Sequence, residues 1–279
     1  MPTILLATAA SAFFGFSDFF GGLAARRDSA FAVTAHAHVV GLALAAIGVL
    51  IIPSQFAAKD LMWGAGVGIA GGIGIVALYA GLACGRMGIV APLTAALSGS
   101  LPAAYDMLRG TSVSWVGIVG LVCAVVAVVI VSATGHPEER ASMPLKAVGL
   151  AVLSGVAFSV AIIFLSFTSS ASGLAPLLAA RAVSVPVLLL ITLARSRRIV
   201  LVPEARATAY GAGALDMCAN FALITAVRIG PLAIAAVLGS LYPVATILLA
   251  RGVLGERMHP RQRFGVALAL VAVVLTALR

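Results

Sequence analysis

Apolar segments long enough to cross a lipid bilayer follow one another along nearly the whole of this 279-residue chain. A helix needs about 20 residues to cross a hydrocarbon core of about 30 Å, and backbone groups in lipid must bond within their own helix. Short stretches with charges, proline and glycine separate ten such segments: 3–24, 31–52, 61–84, 89–108, 115–133, 147–168, 174–194, 207–227, 232–250 and 264–278. The sequence therefore predicts an all-α membrane protein with ten transmembrane helices.

The composition favours the same fold class, since 62% of the residues are hydrophobic and 10% are charged. Soluble domains are about 45–50% apolar and about 25% charged. The net charge of +9 is expected to come from basic loops, because the basic residues lie in short gaps and form no continuous face for nucleic acid. The lipid bilayer is therefore an expected partner, and nucleic acid is not.

Lysine and arginine are distributed unequally between the two sides of the predicted bundle. Thirteen lie in the loops that follow odd-numbered segments: Arg26, Arg27, Arg86, Arg140, Lys146, Arg195, Arg197, Arg198, Arg206, Arg251, Arg257, Arg261 and Arg263. Four lie on the side that carries both termini: Lys59, Arg109, Arg228 and Arg279. Because loops rich in Lys and Arg stay in the cytoplasm, we expect a multi-pass protein of the cell (inner) membrane with both termini outside. The first segment is expected to be a retained span, since its arginines follow it.

Two parts of the chain resemble each other: "YAGLACGRMGIVAPLTAALSGSLPAAYDMLRG" (79–110) and "FALITAVRIGPLAIAAVLGSLYPVATILLARG" (221–252). The matched pairs are Arg86 with Arg228, Gly88 with Gly230 and, after a one-residue slip, Pro102 with Pro243. Arg, Gly and Pro occur in the same order in both parts, which argues against a chance likeness between two stretches of apolar segments. The sequence thus predicts two five-helix units, residues 1–134 and 146–279, joined by a polar linker at 135–145. Because five is odd, they would form the inverted repeat of many secondary transporters.

The end of the chain, "SLYPVATILLARGVLGERMHPRQRFGVALALVAVVL", resembles the end of EamA-type transporters of the drug/metabolite transporter superfamily. That family has a proline-containing ninth span, a loop with Gly-Glu-Arg/Lys and a glycine-containing tenth span. The matching residues are Pro243, Gly255, Glu256, Arg257 and Gly265. The first unit lacks the Gly-Glu motif that many members have after the fourth span. The resemblance implies a ten-span carrier of small metabolites in the inner membrane, often an exporter.

Charged residues inside apolar segments are unfavourable and usually mark a transport route. Asp216 lies about ten residues from each end of its segment and shares a helix face with Gly213 and Asn220. We expect Asp216 to act in transport, directly or by proton coupling, with a structural clamp to an Arg or Asn as the alternative. Arg181 could meet a solute carboxylate, pair with an aspartate or extend to the interface. Asp18 could hold a proton or a cation, or lie at the interface.

The other candidates are polar residues within the segments, and these are Tyr79, Ser98, Tyr105, Ser240, Tyr242 and His36. Ser98 and Tyr105 lie near Pro102, and Ser240 and Tyr242 lie near Pro243. Proline frees a backbone carbonyl, so these breaks predict a binding site, with plain kinks as the alternative.

Histidine and glycine positions in the second and third segments have their own alternatives. His36 and His38 point about 200° apart, so at most one faces a cavity. That histidine could titrate as a coupling group, and hydrogen bonding between helices is the alternative role. Gly64, Gly68 and Gly72 are expected to allow close helix packing.

The motifs that are absent narrow the function. No G-x-x-x-x-G-K-[ST] motif occurs, so direct use of ATP is not expected, and no spacing suggests a metal site, a cofactor or an enzyme. The expected function is secondary transport of a small metabolite (an amino acid, nucleoside-like or drug-like solute), as export coupled to a proton or cation gradient. The alternatives are a non-transporting membrane sensor or assembly subunit and an integral-membrane enzyme. A homodimer is left open.

Overall fold

A computed structural model of the chain describes residues 1–109, 114–132, 144–196, 199–229, 238–239, 241–258 and 260–277. These residues form ten α-helices and a 3-10 turn (Ser170–Ser172), and they contain no strand. In chain order the helices are α1 (Pro2–Ala25), α2 (Ala30–Ile51), α3 (Ala58–Cys84), α4 (Met87–Leu108), α5 (Trp115–Ser132), α6 (Leu145–Ser166), α7 (Ala175–Ser196), α8 (Pro203–Ile229), α9 (Tyr242–Leu254) and α10 (Pro260–Ala277). The predicted all-α class is confirmed for this part of the chain.

Most helices coincide with the apolar segments that predicted them. All but α9 begin and end within about four residues of the prediction, a difference typical of helix boundaries. The ninth segment was predicted at 232–250, but 230–237 lie outside the described residues and α9 begins at Tyr242. Five helices, α1, α2, α3, α6 and α7, are long and apolar enough to cross a membrane. The chain is thus an integral membrane protein, while the count of ten spans stays a prediction.

Loops from distant parts of the chain meet at one end of the bundle, which we call the basic end. The backbone N–H of Val202, before α8, donates to Asp28 Oδ2 in the α1–α2 loop at 2.9 Å. Between α3 and α4, Arg86 Nη1 donates to Gln262 Oε1 of α10 at 2.8 Å. Arg26 Nη2, in the first of these loops, also lies 3.5 Å from Glu256 Oε1, so the described loops that follow α1, α3, α7 and α9 meet at this end. Which side of the membrane this end faces stays a prediction.

Glycine allows close helix contacts at several positions, among them Gly64, Gly68 and Gly213. On α3, Gly64 and Gly68 lie against the α7 backbone at Pro176 and Ala180, respectively. On α8, Gly213 lies against the α2 backbone at Ala37. A side chain at these sites would overlap backbone atoms that cannot move away without shifting a helix. The packing role expected for Gly64 and Gly68 is confirmed, whereas Gly72 has only ordinary contacts, the nearest with the Ser184 Cβ at 3.7 Å.

Gly68→Ala and Gly213→Ala are each expected to lower the free energy of unfolding by about 1–3 kcal/mol, because the added methyl group overlaps a carbonyl oxygen of the facing helix. Gly71→Ala is the matched control, since a Cβ there meets no described atom within 4 Å. Thermal unfolding of the purified protein in detergent compares the three. A Tm for Gly213→Ala equal to that of Gly71→Ala would contradict this packing.

Candidate functional site

The interior of the bundle contains an ion pair between Arg181 of α7 and Asp216 of α8. Arg181 Nη2 donates to Asp216 Oδ2, and the two side chains are 11% and 17% exposed. Asp216 is the central residue of α8 (Pro203–Ile229). Arg181 thus pairs with an aspartate, the second of the three roles open to it from sequence, and does not extend to the interface. Asp216 has the arginine partner that the clamp alternative required.

His38 of α2 completes a hydrogen-bonded chain around Arg181. Arg181 Nη1 lies 2.6 Å from His38 Nε2, and a guanidinium can only donate, so Nε2 accepts. The ring proton therefore lies on Nδ1, which donates to Ser184 Oγ at 2.8 Å. The other histidine, His36, points elsewhere, and its Nδ1 lies 2.9 Å from the Ala32 carbonyl oxygen of its own helix. Only one of the two histidines reaches the interior, and it is not the one selected as a candidate.

Asp18 of α1 is also buried, at 7% exposed, which argues against an interfacial position. It lies close enough to interact electrostatically with Asp216, Tyr79 and Tyr242. No other described residue donates a hydrogen bond to its carboxylate or forms an ion pair with it. Asp18 and Asp216 thus lie near each other, and of the two only Asp216 pairs with an arginine among the described residues. We call Asp18, His38, Tyr79, Arg181, Asp216 and Tyr242 the central polar cluster.

Two tyrosines border the cluster. Tyr79 of α3 is fully buried, and its ring lies against Gly21 of α1, where any side chain would overlap it. The Tyr242 hydroxyl of α9 faces the side chain of Ser98 on α4, and its ring makes an edge contact with Phe14 at 6.1 Å between centroids. α1, α3, α4 and α9 therefore all reach the cluster.

The remaining candidates lie at its margin or away from it. Asn220 Nδ2 donates to the Asp216 carbonyl oxygen at 2.8 Å, so its amide serves its own helix. Tyr105 lies under the guanidinium of Arg109 at 5.8 Å, near the end of α4. Ser240 lies outside the described residues. Within the described ranges, no group of three or more His, Cys, Asp or Glu side chains could hold a metal ion.

Sequence reasoning passed over three side chains that position the cluster. Ser17 Oγ donates to the Ala212 carbonyl oxygen at 2.8 Å and fixes α1 against α8. Ser184 and His38 orient the Arg181 guanidinium. The histidine spacing was a signal for His38, but single serines in apolar helices carry no such signal.

A carboxylate clamp at the basic end explains the Gly-Glu motif. Gly255 has the left-handed φ of +64°, which favours glycine and ends α9. The next residue, Glu256, accepts hydrogen bonds from the backbone N–H groups of Met87 and Gly88, both at 3.1 Å. It therefore caps the N-terminus of α4, where a negative charge is favourable. Arg26 Nη2 lies 3.5 Å from its Oε1.

Glu256→Ala is expected to lower the free energy of unfolding by about 1–2 kcal/mol, since the α4 N-terminus loses its cap. Arg257→Ala is the control, because Arg257 is exposed and adjacent. Thermal unfolding in detergent measures both. Equal Tm values for the two variants would show that the clamp contributes nothing to stability.

Comparison with known proteins agrees with this architecture. Residues 145–278 match the model of the EamA-like transporter family, and a comparison with curated proteins finds no match. The matched part contains Arg181, Asp216, Gly255 and Glu256. The resemblance seen in the final segment is confirmed: residues 145–278 of this chain are similar to the EamA-like transporter family.

Proposed function

We propose that the chain is a proton-coupled secondary transporter of a small organic solute. One observation carries the proposal: the central polar cluster contains two carboxylates and one permanent cation. Arg181 neutralises Asp216, and Asp18 has no positively charged partner among the described residues. A buried ionised carboxylate is unfavourable by several kcal/mol unless it is paired or hydrated. Asp18 is therefore stable as a neutral acid or beside a second cation, and it can take up and release one positive charge.

Competition between a proton and the solute for Asp18 would couple proton movement to solute movement. A proton and a positively charged group of the solute, such as an amine, would occupy the same carboxylate at different times. Each must leave before the other binds, so protons and solute would move in opposite directions. An inward proton gradient would then drive export. Positively charged solutes are the class that this site favours, since Arg181 already meets the charge of Asp216.

We further infer that the units 1–134 and 146–279 form an inverted repeat. Helices α2, α3 and α5 begin 145 residues before α7, α8 and α10, and each pair is equal in length. The same interval separates Gly68 from Gly213, which lie against α7 and α2, respectively. Contacts between helices also occur in matching pairs, since α1 packs on α8 as α6 packs on α3. This order supports the repeat that the sequence predicted.

The matched arginines fit this interval less well. Arg86 lies between α3 and α4, whereas Arg228 lies within the last turn of α8. Their separation is about three residues shorter than the interval between the paired helices. The sequence match therefore finds related segments without giving their structural register.

Each end of the bundle has a carboxylate that bridges the two units. At the basic end, Glu256 holds α4 and Arg26. At the opposite end, Asp60 of α3 accepts hydrogen bonds from the Ser169 N–H at 3.3 Å and from the Ser172 hydroxyl. We propose that these contacts break in turn, as one repeat rocks against the other around the central site.

The same proposal includes the location and orientation. We place the protein in the cell (inner) membrane with both termini outside, on the Lys and Arg asymmetry of the loops. A cysteine introduced at residue 279 should react with an impermeant reagent on intact cells. Reaction only after permeabilisation would reverse the orientation. Because the matched family consists of transporters, we propose neither an enzyme nor a sensor.

Reconstituted vesicles test the function. The purified protein is placed in vesicles and given a mixture of metabolites under an imposed pH gradient of either direction, with mass spectrometry of the contents. We expect a solute with a positively charged group to accumulate under one direction of the gradient, and not in protein-free vesicles. If folded protein accumulates no solute under either gradient, proton-coupled transport is excluded for that mixture.

A further inference from the structure

A groove between α3, α6 and α7, with a volume of about 640 Å³, opens on the side of the bundle. We call it the lateral groove, and most of its wall is aliphatic: Ile69, Ile73, Leu150, Leu153, Leu188 and Ile191. Ile69 and Ile73 are 55% and 50% exposed, so the groove opens toward lipid along its length. Its volume lies within the range of about 300–1,000 Å³ for ligand sites. None of the residues of the central polar cluster lines it, although Ser184 at its inner end is hydrogen-bonded to His38 of that cluster.

Two cations line the groove at the basic end. Lys146 lies at the start of α6, and Arg195 lies near the end of α7. Neither forms an ion pair with a residue that the structure describes. The Arg195 guanidinium lies 4.7 Å from the centroid of the Phe31 ring, which also lines the groove. An apolar groove thus ends at two positive charges that lack acidic partners in the described part of the chain.

The length of the groove matches one leaflet. Along α7 the lining runs from Ser184 to Arg195, a rise of about 16 Å at about 1.5 Å per residue. One leaflet contributes about 15 Å of hydrocarbon. At the inner end, Ser184 Oγ already accepts a hydrogen bond from His38. An apolar chain can therefore lie there while the Ser184 hydroxyl keeps its partner.

We propose that the lateral groove binds an acyl chain of an anionic phospholipid from the leaflet at the basic end. Lys146 and Arg195 hold its headgroup phosphate, and the aliphatic wall holds the chain. Basic pockets between transmembrane helices are a recognised setting for anionic headgroups. A zwitterionic lipid has the same chains, but a positive group in its headgroup offsets the charge of the phosphate. Charge complementarity with Lys146 and Arg195 therefore selects the anionic lipid. This site does not depend on the identity of the transported solute.

Native mass spectrometry of the detergent-purified chain tests the proposal with equimolar dioleoyl phosphatidylglycerol and dioleoyl phosphatidylcholine. We expect the protein to retain bound phosphatidylglycerol and to carry little phosphatidylcholine. The double variant Lys146→Gln/Arg195→Gln should bind phosphatidylglycerol about 30-fold more weakly. The control Lys59→Gln/Arg109→Gln removes the same charge at the opposite end and should bind as the unmodified chain does.

A second arm tests the acyl chain. Gly72→Phe is expected to fill the groove, since Gly72 lines it and a Cβ there meets only ordinary contacts, so retention of phosphatidylglycerol should fall with no change of charge. Excess glycerol phosphate should not displace the lipid, because it lacks the chain. Equal retention of the two lipids or displacement by glycerol phosphate would overturn the proposal. So would a Lys146→Gln/Arg195→Gln variant that binds phosphatidylglycerol normally, or a control variant that is weakened equally.

Discussion

Arg181→Met is expected to lower the free energy of unfolding by about 3–5 kcal/mol, since removing one partner of a buried ion pair leaves an uncompensated charge. Asp216 would lose its only salt bridge among the described residues, and His38 Nε2 would lose its donor. The substitution brings no positive charge to Asp18, so the loss at Asp216 is not offset there. Unfolding in detergent measures the stability, and uptake into vesicles should be lost. Arg251→Met is the control, because Arg251 is exposed near the end of α9.

The double variant Arg181→Met/Asp216→Leu separates structure from transport. Replacing a whole buried ion pair with apolar side chains is often neutral for stability, so its free energy of unfolding should return to within about 2 kcal/mol of the unmodified chain. Transport should stay lost, since the charged centre is gone. A folded double variant that still transports would reduce the pair to a structural clamp, the alternative that the sequence left open.

Asp18→Asn is expected to have the opposite effect on stability. The amide keeps the shape of the side chain and removes a carboxylate that has no positive partner among the described residues. The free energy of unfolding should therefore stay the same or rise by up to about 3 kcal/mol. Accumulation of solute under a pH gradient should fall to the level of protein-free vesicles, since the proposed coupling depends on the exchange of a proton at Asp18.

The control for Asp18→Asn is Glu204→Gln, which removes one negative charge from an exposed position in the first turn of α8. Stability and accumulation should both stay close to those of the unmodified chain. Loss of accumulation in the control would show that the overall charge of the protein matters more than the charge at Asp18. Normal accumulation by Asp18→Asn would remove Asp18 from the coupling mechanism.

The helices could be predicted from the sequence because the bilayer restricts the choices. Backbone groups in lipid must bond within one helix, so apolar length and charged breaks locate each helix to within a turn. In the ninth segment the described α9 begins at Tyr242, directly before Pro243, whereas a window of apolar residues treats the proline as interior; the predicted start at 232 lies outside the described residues. Apolarity alone does not indicate where a helix begins around a proline.

The arrangement of the central polar cluster could be predicted only in part. The position of Asp216 in its segment indicated a buried charge, but its pairing with Arg181 depends on how α7 and α8 are rotated. The same holds for the histidines: their spacing shows that they diverge, while the contact of Gly213 with Ala37 fixes which face of α2 meets α8. Neither rotation is encoded in a local pattern.

Asp18 shows a further limit of reading one segment at a time. Its nearness to Arg26 in sequence made an interfacial position plausible. In the fold, α1 packs on α3, α8 and α9, and these neighbours bury the carboxylate. Burial by other helices is a property of the tertiary structure, so the hydropathy of the first segment does not report it.

The central claim is that Asp18 exchanges a proton for the solute, and proton movement driven by a solute gradient tests it most directly. Vesicles with a trapped pH-sensitive dye receive a gradient of the solute found by the metabolite screen, with no initial pH difference. The unmodified chain should change the internal pH in step with solute movement, and Asp18→Asn should not. Equal pH changes with both proteins, or solute movement without any pH change in the unmodified chain, would contradict the account.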